Sequence, residues 1–278
     1  MSFWVLLAVL GAAFLHALWN ALIKLGTSKI GAMVILSVAE IPIGLAIALS
    51  RPLPAPEAWP WAVAAGCTHF FYKFFLTYAY DRGDLSRVYP IARGAAPLIV
   101  GVVGTFMLTD VVSVTEYAGI GVLGAGILLM ARGIFTSGED RKLLPFALGS
   151  ACATAGYTMI DGLGARVSGD AIGYVAWVFV ADGTLFATGM LLYKGLDILP
   201  RNRKAWVTGL IASAASYGAY GVSVWAMMKA PIAVVAALRE TSILFAVLIG
   251  WLAFGEKLTR DKALAAVVIV SGVLLTRL

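Results

Sequence analysis

This sequence is short of charged residues. Only 13% of its 278 residues are Asp, Glu, Lys or Arg, whereas 61% are hydrophobic. Soluble domains are about a quarter charged, and a soluble protein of this length could not cover its surface with so few charges. The mean hydropathy of +0.91 points the same way. The composition therefore excludes a soluble globular protein and predicts an integral membrane protein.

Metal-binding and catalytic signatures are also scarce. The two cysteines lie inside apolar runs, so no disulfide framework is expected. The two histidines fall in separate predicted helices, so no metal site is predicted. A GxGxxG match at 119–124 lies within an apolar helix and lacks a preceding strand, so its glycines favour close helix packing or a subunit contact. The sequence predicts neither an enzyme nor a bound cofactor.

Apolar segments of transmembrane length fill the chain. A helix that crosses about 30 Å of hydrocarbon needs about 20 mostly apolar residues, and short polar or proline-rich stretches divide this chain into ten such segments. The predicted helices span residues 3–25, 30–49, 59–80, 88–108, 115–131, 143–163, 171–193, 205–228, 232–254 and 259–276. We therefore predict an all-α integral membrane protein with ten transmembrane helices.

The two halves of the chain resemble each other. Aligning 85–133 with the carboxyl-terminal segment, without a gap, pairs Arg93 with Arg239, Asp110 with Glu256 and Gly126 with Gly272. Glu40 aligns with Asp182 at a slightly shorter offset. Because each repeat has an odd number of helices, two copies in tandem must insert in opposite orientations. The sequence predicts a 5+5 inverted repeat, with residues 1–137 and 138–278 forming one membrane domain.

The basic residues indicate topology. The net charge of +6 and the pI near 9.4 arise from short clusters between apolar runs, which argues against a nucleic-acid partner. Most of these residues lie in the odd-numbered loops, which join helices 1 and 2, 3 and 4, and so on. The positive-inside rule places these loops in the cytoplasm. We predict a multi-pass protein of the bacterial inner membrane with both termini outside.

Polar and ionisable side chains interrupt the apolar helices. A charge at the centre of a membrane helix costs about 2.5 to 3.5 kcal/mol on insertion scales, so it needs a partner or a wet cavity. On helices 1, 3, 4, 8 and 9 such residues follow helical spacing, which places them in stripes. We identify them as candidate substrate contacts: His16, Trp19, Asn20, His69, Tyr72, Lys73, Tyr89, Arg93, Tyr217, Tyr220, Arg239 and Glu240.

These stripes are predicted to converge on one aqueous cavity. Arg93 and Arg239 suit a carboxylate or phosphonate, Glu240 suits an ammonium group, and the aromatic rings suit the apolar part of a substrate. The alternative interpretation is that these groups pair with one another and only hold the bundle together.

Two further carboxylates are predicted to be buried. Glu40 precedes Pro42 and Asp182 precedes Gly183, so each lies next to a helix-breaking residue in equivalent helices of the two halves. A buried carboxylate can take up and release a proton during transport, which makes both residues candidates for proton coupling. A neutral acid bonded to backbone groups that the helix breaker leaves free explains them equally well.

Two motifs carry a family resemblance. Helix 4 begins Tyr-Pro-x-x-Arg-Gly-x-x-Pro-Leu at 89–98, and helix 9 ends Leu-Ala-Phe-Gly-Glu-Lys-Leu-Thr at 252–259. With ten helices in a 5+5 repeat, the chain resembles the EamA-type drug/metabolite transporter superfamily. The resemblance implies a helical bundle with a central cavity, alternating access and export of amino acids or other metabolites, without a tightly bound cofactor.

The leading hypothesis is a secondary carrier for a small zwitterion or organic anion. Its expected partners are a small-molecule metabolite, membrane lipid and, as one possibility, a second copy in a homodimer. An uptake carrier of the same fold is the first alternative. An accessory or lipid-carrier flippase subunit without a small-solute pathway is the second. A membrane-embedded enzyme is the third and least favoured alternative, because no nucleophile and base form a recognisable pair.

Overall fold

A computed structural model describes residues 1–24, 28–82, 85–131, 142–255 and 259–277 of this chain. Within these ranges it contains helices and no strand. The helices are α1 (Phe3–Lys24), α2 (Lys29–Ala48), α3 (Trp59–Arg82), α4 (Leu85–Met107), α5 (Val114–Ala131), α6 (Leu143–Ser168), α7 (Ala171–Lys194), α8 (Arg203–Met227), α9 (Ile232–Arg239), α10 (Ser242–Phe254) and α11 (Arg260–Leu275).

Local sequence signals explain where several helices begin and end. Side-chain oxygens of Ser28, Asp170, Asn202 and Thr259 accept hydrogen bonds from the first backbone N–H groups of α2, α7, α8 and α11. Three glycines with φ of 74°, 80° and 65° follow α6, α7 and α10: Gly169, Gly195 and Gly255. Helix α6 runs five residues beyond its predicted end because its left-handed cap is Gly169.

The helices have the length and surface of a membrane bundle. By length and composition, five apolar stretches in the described part of the chain could cross a membrane: Phe3–Ile23, Lys29–Ala48, Leu143–Ser168, Ala171–Lys194 and Ile232–Ala253. Large apolar side chains such as Trp4, Phe106 and Leu192 point outward and are more than three-quarters exposed. The predicted all-helical membrane fold is confirmed.

The ninth predicted span is interrupted. Instead of one helix over 232–254, α9 ends at Arg239 and α10 begins at Ser242. The N–H groups of Glu240 and Thr241 donate to carbonyls three residues back, at 3.0 and 3.1 Å, so the backbone tightens there. The Thr241 hydroxyl also donates to the Leu238 carbonyl at 2.7 Å, which competes with the regular helical bond.

The packing follows a two-fold pattern. Helix α2 packs on its repeat equivalent α7, and α5 packs on α11, while α1 contacts α8 and α3 contacts α6. A methyl group on Gly126 would lie 2.9 Å from the Ile269 nitrogen, and one on Gly272 would lie 2.5 Å from the Leu123 nitrogen. These contacts are reciprocal in the repeat alignment, as an axis relating two halves requires. The predicted boundary at 137/138 lies outside the described residues.

The α5/α11 contact explains one glycine of the GxGxxG match, Gly119, and gives a matched test. A methyl group on Gly119 would lie 2.8 Å from both the Gly272 carbonyl oxygen and the Thr276 nitrogen, whereas one on Gly121 meets nothing within 4 Å. We expect Gly119→Ala to lower the free energy of unfolding by about 1–3 kcal/mol through overpacking. Gly121→Ala is the control and should be neutral or slightly stabilising. Thermal unfolding in detergent measures both, and equal stability of the two variants would contradict the packing.

Candidate functional site

A small central cavity of about 30 Å³ lies between the two halves. It brings together nine of the residues that the sequence singled out: His16, Trp19, Glu40, His69, Tyr72, Lys73, Asp182, Tyr220 and Arg239. Leu36, Tyr157, Phe179 and Ser216 complete the described lining. The cavity therefore draws on both halves and on helices α1, α2, α3, α6, α7, α8 and α9.

On one side of the cavity, two carboxylates share a single ammonium group. Lys73 Nζ lies 2.5 Å from Asp182 Oδ2, pairs with Glu40 Oε2 and donates to Ser37 Oγ at 3.0 Å. All four side chains are buried. With every group ionised, the cluster carries one uncompensated negative charge. Asp182 Oδ1 has no hydrogen-bond partner among the described residues, so it is an open acceptor.

Close helix packing creates this cluster. Helix α2 continues through Pro42 and α7 continues through Gly183, so neither residue breaks its helix. A methyl group on Gly183 would lie 2.6 Å from the Ser37 carbonyl oxygen, so glycine allows α7 to approach α2. The described bonds of both carboxylates go to Lys73. The alternative interpretation from the sequence had them bonded to backbone groups that a helix break leaves free.

The cavity lining also includes a cation, Arg239, that makes no direct ion pair with a described residue. Within the described part of the chain, the Arg239 guanidinium makes no hydrogen bond or ion pair, although the side chain is only 5% exposed. It lies 5.1 Å from the centre of the Tyr220 ring in a cation–π contact. Its position at the carboxyl end of α9 is favourable for a cation because of the helix dipole.

His16 adds a hydrogen-bond donor. Its Nδ1 accepts from Trp19 Nε1 at 3.1 Å, and an indole N–H can only donate, so Nδ1 carries no proton. The proton of the imidazole is therefore on Nε2, which is buried and has no partner in the described structure. Arg239 and His16 together offer two donors to an anionic group in the cavity.

Asp161 organises the aromatic part of the cavity lining. This fully buried carboxylate accepts from Tyr174 OH at 3.1 Å, from Tyr220 OH and from His69 Nε2 at 2.9 Å. His69 in turn stacks on Tyr157 with ring centres 4.1 Å apart. Asp161 thereby fixes the ring beneath Arg239. Asp161 was not among the predicted site residues, although it is a charged residue within a predicted apolar helix, as several of them are.

Arg93 and Glu240 are not among the residues that line the cavity, and they pair with each other. Arg93 Nη2 donates to Glu240 Oε1 at 2.7 Å and Nε donates to Oε2 at 3.1 Å, with both side chains buried. Arg93 Nη1 also donates to the Tyr157 hydroxyl at 3.3 Å. This two-bond ion pair joins α4 of the first half to the end of α9 in the second half. It matches the alternative interpretation, in which such groups hold the bundle together.

The remaining candidates do not line the described cavity. Asn20 Nδ2 donates to the His16 carbonyl at 2.8 Å, one turn back in α1. Tyr217 OH donates to the Ile172 carbonyl at 2.8 Å, and its ring packs edge-on against Phe179. The side chain of Tyr89 lies outside the described residues.

Of the added polar and aromatic lining residues, only Ser216 could be detected from the sequence. Ser216 belongs to the polar stripe of α8, whereas Tyr157 and Phe179 sit among small and apolar residues where an aromatic ring gives no distinct signal. Their positions depend on how α6 and α7 rotate about their axes, and this is a tertiary property.

Comparison with known proteins agrees with the fold. The EamA-like transporter family matches residues 142–278. A solved crystal structure superposes with a TM-score of 0.74 at 18% sequence identity, covering 99% of this chain and 96% of the other, which shows a shared fold alone. No curated protein matches the chain. The family resemblance is confirmed: the second half of this multi-pass membrane protein belongs to the EamA-like transporter family, within the drug/metabolite transporter superfamily.

Proposed function

We propose that this transporter is a secondary carrier for a small zwitterion or organic anion, such as an amino acid. The observation that carries the proposal is Arg239, a buried guanidinium without an anionic partner in the described structure, facing a cavity that both halves share. A buried cation without a counter-ion is costly, and a carboxylate from the substrate would supply one. The His16 Nε2–H group is positioned on the same cavity to add a second bond.

The other side of the cavity supports a zwitterion over a simple anion. The open Asp182 Oδ1 and the excess negative charge around Lys73 favour an ammonium group. Aromatic side chains between the two sides would cover the apolar part of the substrate. A cavity of about 30 Å³ holds only one or two water molecules, so the helices must separate before a substrate enters. Such a contracted site is expected of a carrier that works by alternating access.

We assign the direction as export from a bacterial inner membrane, with the basic odd-numbered loops in the cytoplasm.

A metabolite screen by thermal shift tests the substrate class, because a ligand that binds only the folded protein stabilises it by mass action. Amino acids should raise the melting temperature, and the best of them should show counterflow in proteoliposomes. An accessory or flippase subunit would respond to no metabolite, and that result would overturn the proposal.

Proton coupling at Glu40 and Asp182 forms a second part of the proposal. The fully ionised cluster has one negative charge too many, so either a proton or a substrate ammonium group would neutralise it. Competition between the two would exchange protons for substrate.

This coupling makes a separable prediction. Asp182→Asn and Glu40→Gln should each abolish substrate accumulation driven by a pH gradient, while exchange of substrate for substrate in counterflow is retained in Glu40→Gln, whose carboxylate is not placed against the substrate. Glu57→Gln changes a carboxylate in an exposed loop and is the matched control. Gradient-driven accumulation that is unchanged in both cluster variants would remove the coupling role and leave the carrier itself in place.

A further inference from the structure

At one face of the bundle, the Arg166 guanidinium joins the two halves. This even-loop face contains the loops at 49–58, 108–113, 169–170 and 228–231. In it, Arg166 near the end of α6 donates to Asp110 through Nη1 at 2.7 Å and Nη2 at 3.1 Å. The same guanidinium donates to the Met227 carbonyl through Nε at 3.0 Å and Nη2 at 2.8 Å. The pair therefore ties the α4–α5 loop of the first half to the ends of α6 and α8 in the second.

Asp110 also holds the start of α9. Its Oδ2 accepts from the Ile232 backbone N–H at 2.8 Å, so a first-half carboxylate caps a second-half helix. Helix α9 has eight residues, all of them buried, and its last residue is Arg239. The Glu240–Arg93 ion pair secures the other end. A short rigid helix thus connects the Asp110–Arg166 pair directly to the unpartnered cation of the cavity.

A cavity of about 460 Å³ lies beside the α1–α2 turn and the start of α8, and its lining includes Ile23, Ala32 and Gly209. One helical turn deeper, Trp19 and Leu36 already line the central cavity. On the even-loop face, by contrast, described ion pairs cross between the halves: Arg166–Asp110 and the more exposed Arg51–Asp170. In this conformation, described ion pairs therefore tie the two halves together at the even-loop face.

We propose that Asp110 and Arg166 are positioning residues that keep the even-loop face closed and, through α9, hold Arg239 in the central cavity. Breaking the pair releases the start of α9 and the α4–α5 loop together, because one carboxylate secures both. The bundle then shifts toward a conformation that is open at the even-loop face and closed at the other. The inference rests on the proposed function only for the role of Arg239.

Side-specific cysteine labelling tests this inference without any substrate. In a variant lacking Cys67 and Cys152, both of them exposed, Ser216→Cys places one thiol in the cavity lining. A membrane-impermeant methanethiosulfonate reagent is applied to either side of oriented vesicles. Separate Leu53→Cys and Arg201→Cys variants, both exposed, mark the even-loop and odd-loop sides.

Asp110→Asn and Arg166→Gln should each raise labelling of the cavity thiol from the even-loop side about fivefold or more, a typical size for coupled equilibria. Labelling from the odd-loop side should fall in the same variants. Glu57→Gln, in another even-numbered loop, should match the parent. Unchanged labelling from the even-loop side would overturn the inference. Equal increases from both sides would also overturn it, because they indicate general loosening. Neither result bears on whether Arg239 binds a transported anion.

Discussion

Arg239→Gln is expected to weaken binding of a carboxylate-bearing substrate by about tenfold to a hundredfold and to suppress counterflow. A hydrogen bond to a charged group contributes about 1.5–3 kcal/mol, and each 1.4 kcal/mol is a factor of ten in affinity. The loss should be large because the guanidinium is buried and provides the cation that faces the cavity opposite the Lys73 cluster. Thermal-shift titration and proteoliposome counterflow measure the two effects.

The stability of the substrate-free Arg239→Gln variant separates a role of Arg239 in substrate binding from a structural role. Removing Arg239 leaves no carboxylate without its ion-pair partner in the described structure, so the melting temperature without substrate should stay close to that of the parent. Arg239→Lys should retain part of the binding, because an ammonium keeps the charge but lacks the planar fork. Arg203→Gln, the same change at an exposed site, is the control. Wild-type affinity in Arg239→Gln would contradict the assignment.

Arg93 should behave in the opposite way. Arg93→Met or Glu240→Gln is expected to lower the free energy of unfolding by about 3–5 kcal/mol, because each breaks this buried two-bond ion pair. Both side chains are at most 3% exposed, so solvent cannot replace the lost partner. Thermal unfolding in detergent, or the yield of folded protein, measures this loss.

The double variant Arg93→Met/Glu240→Leu should recover much of the stability, since an apolar pair of similar volume leaves no unpaired charge. Arg51→Gln removes a partner from the exposed Arg51–Asp170 pair and should cost at most about 1 kcal/mol. A double variant as unstable as the single ones would show that Arg93 and Glu240 do more than neutralise each other.

The contrast between Arg93 and Arg239 shows what the sequence could establish. Both were found because a charge in an apolar helix is costly, and they occupy equivalent positions of the two repeats. Arg239 is followed by Glu240, whereas the equivalent residue after Arg93 is Gly94. The second half therefore supplies a carboxylate to Arg93, but the first half offers none at the matching place for Arg239. This asymmetry is visible in the sequence, yet only the packing shows which arginine receives the carboxylate.

Helix positions were predictable to within a few residues, since hydropathy and length determine them. The break at Glu240 and Thr241 was not, because no proline or glycine marks it and it arises from local side-chain bonds. The Lys73 cluster was also unpredicted as a unit. Its three charged groups come from α2, α3 and α7, and only the crossing of these helices brings them together.

The central claim is that a substrate binds between Arg239 and the Lys73 cluster. The most direct test is an experimental structure of the protein with the metabolite that stabilises it most. We predict that the substrate carboxylate lies within hydrogen-bonding distance of the Arg239 guanidinium, and that its ammonium group faces Asp182. A substrate bound in the membrane region without contact to Arg239 would contradict the account.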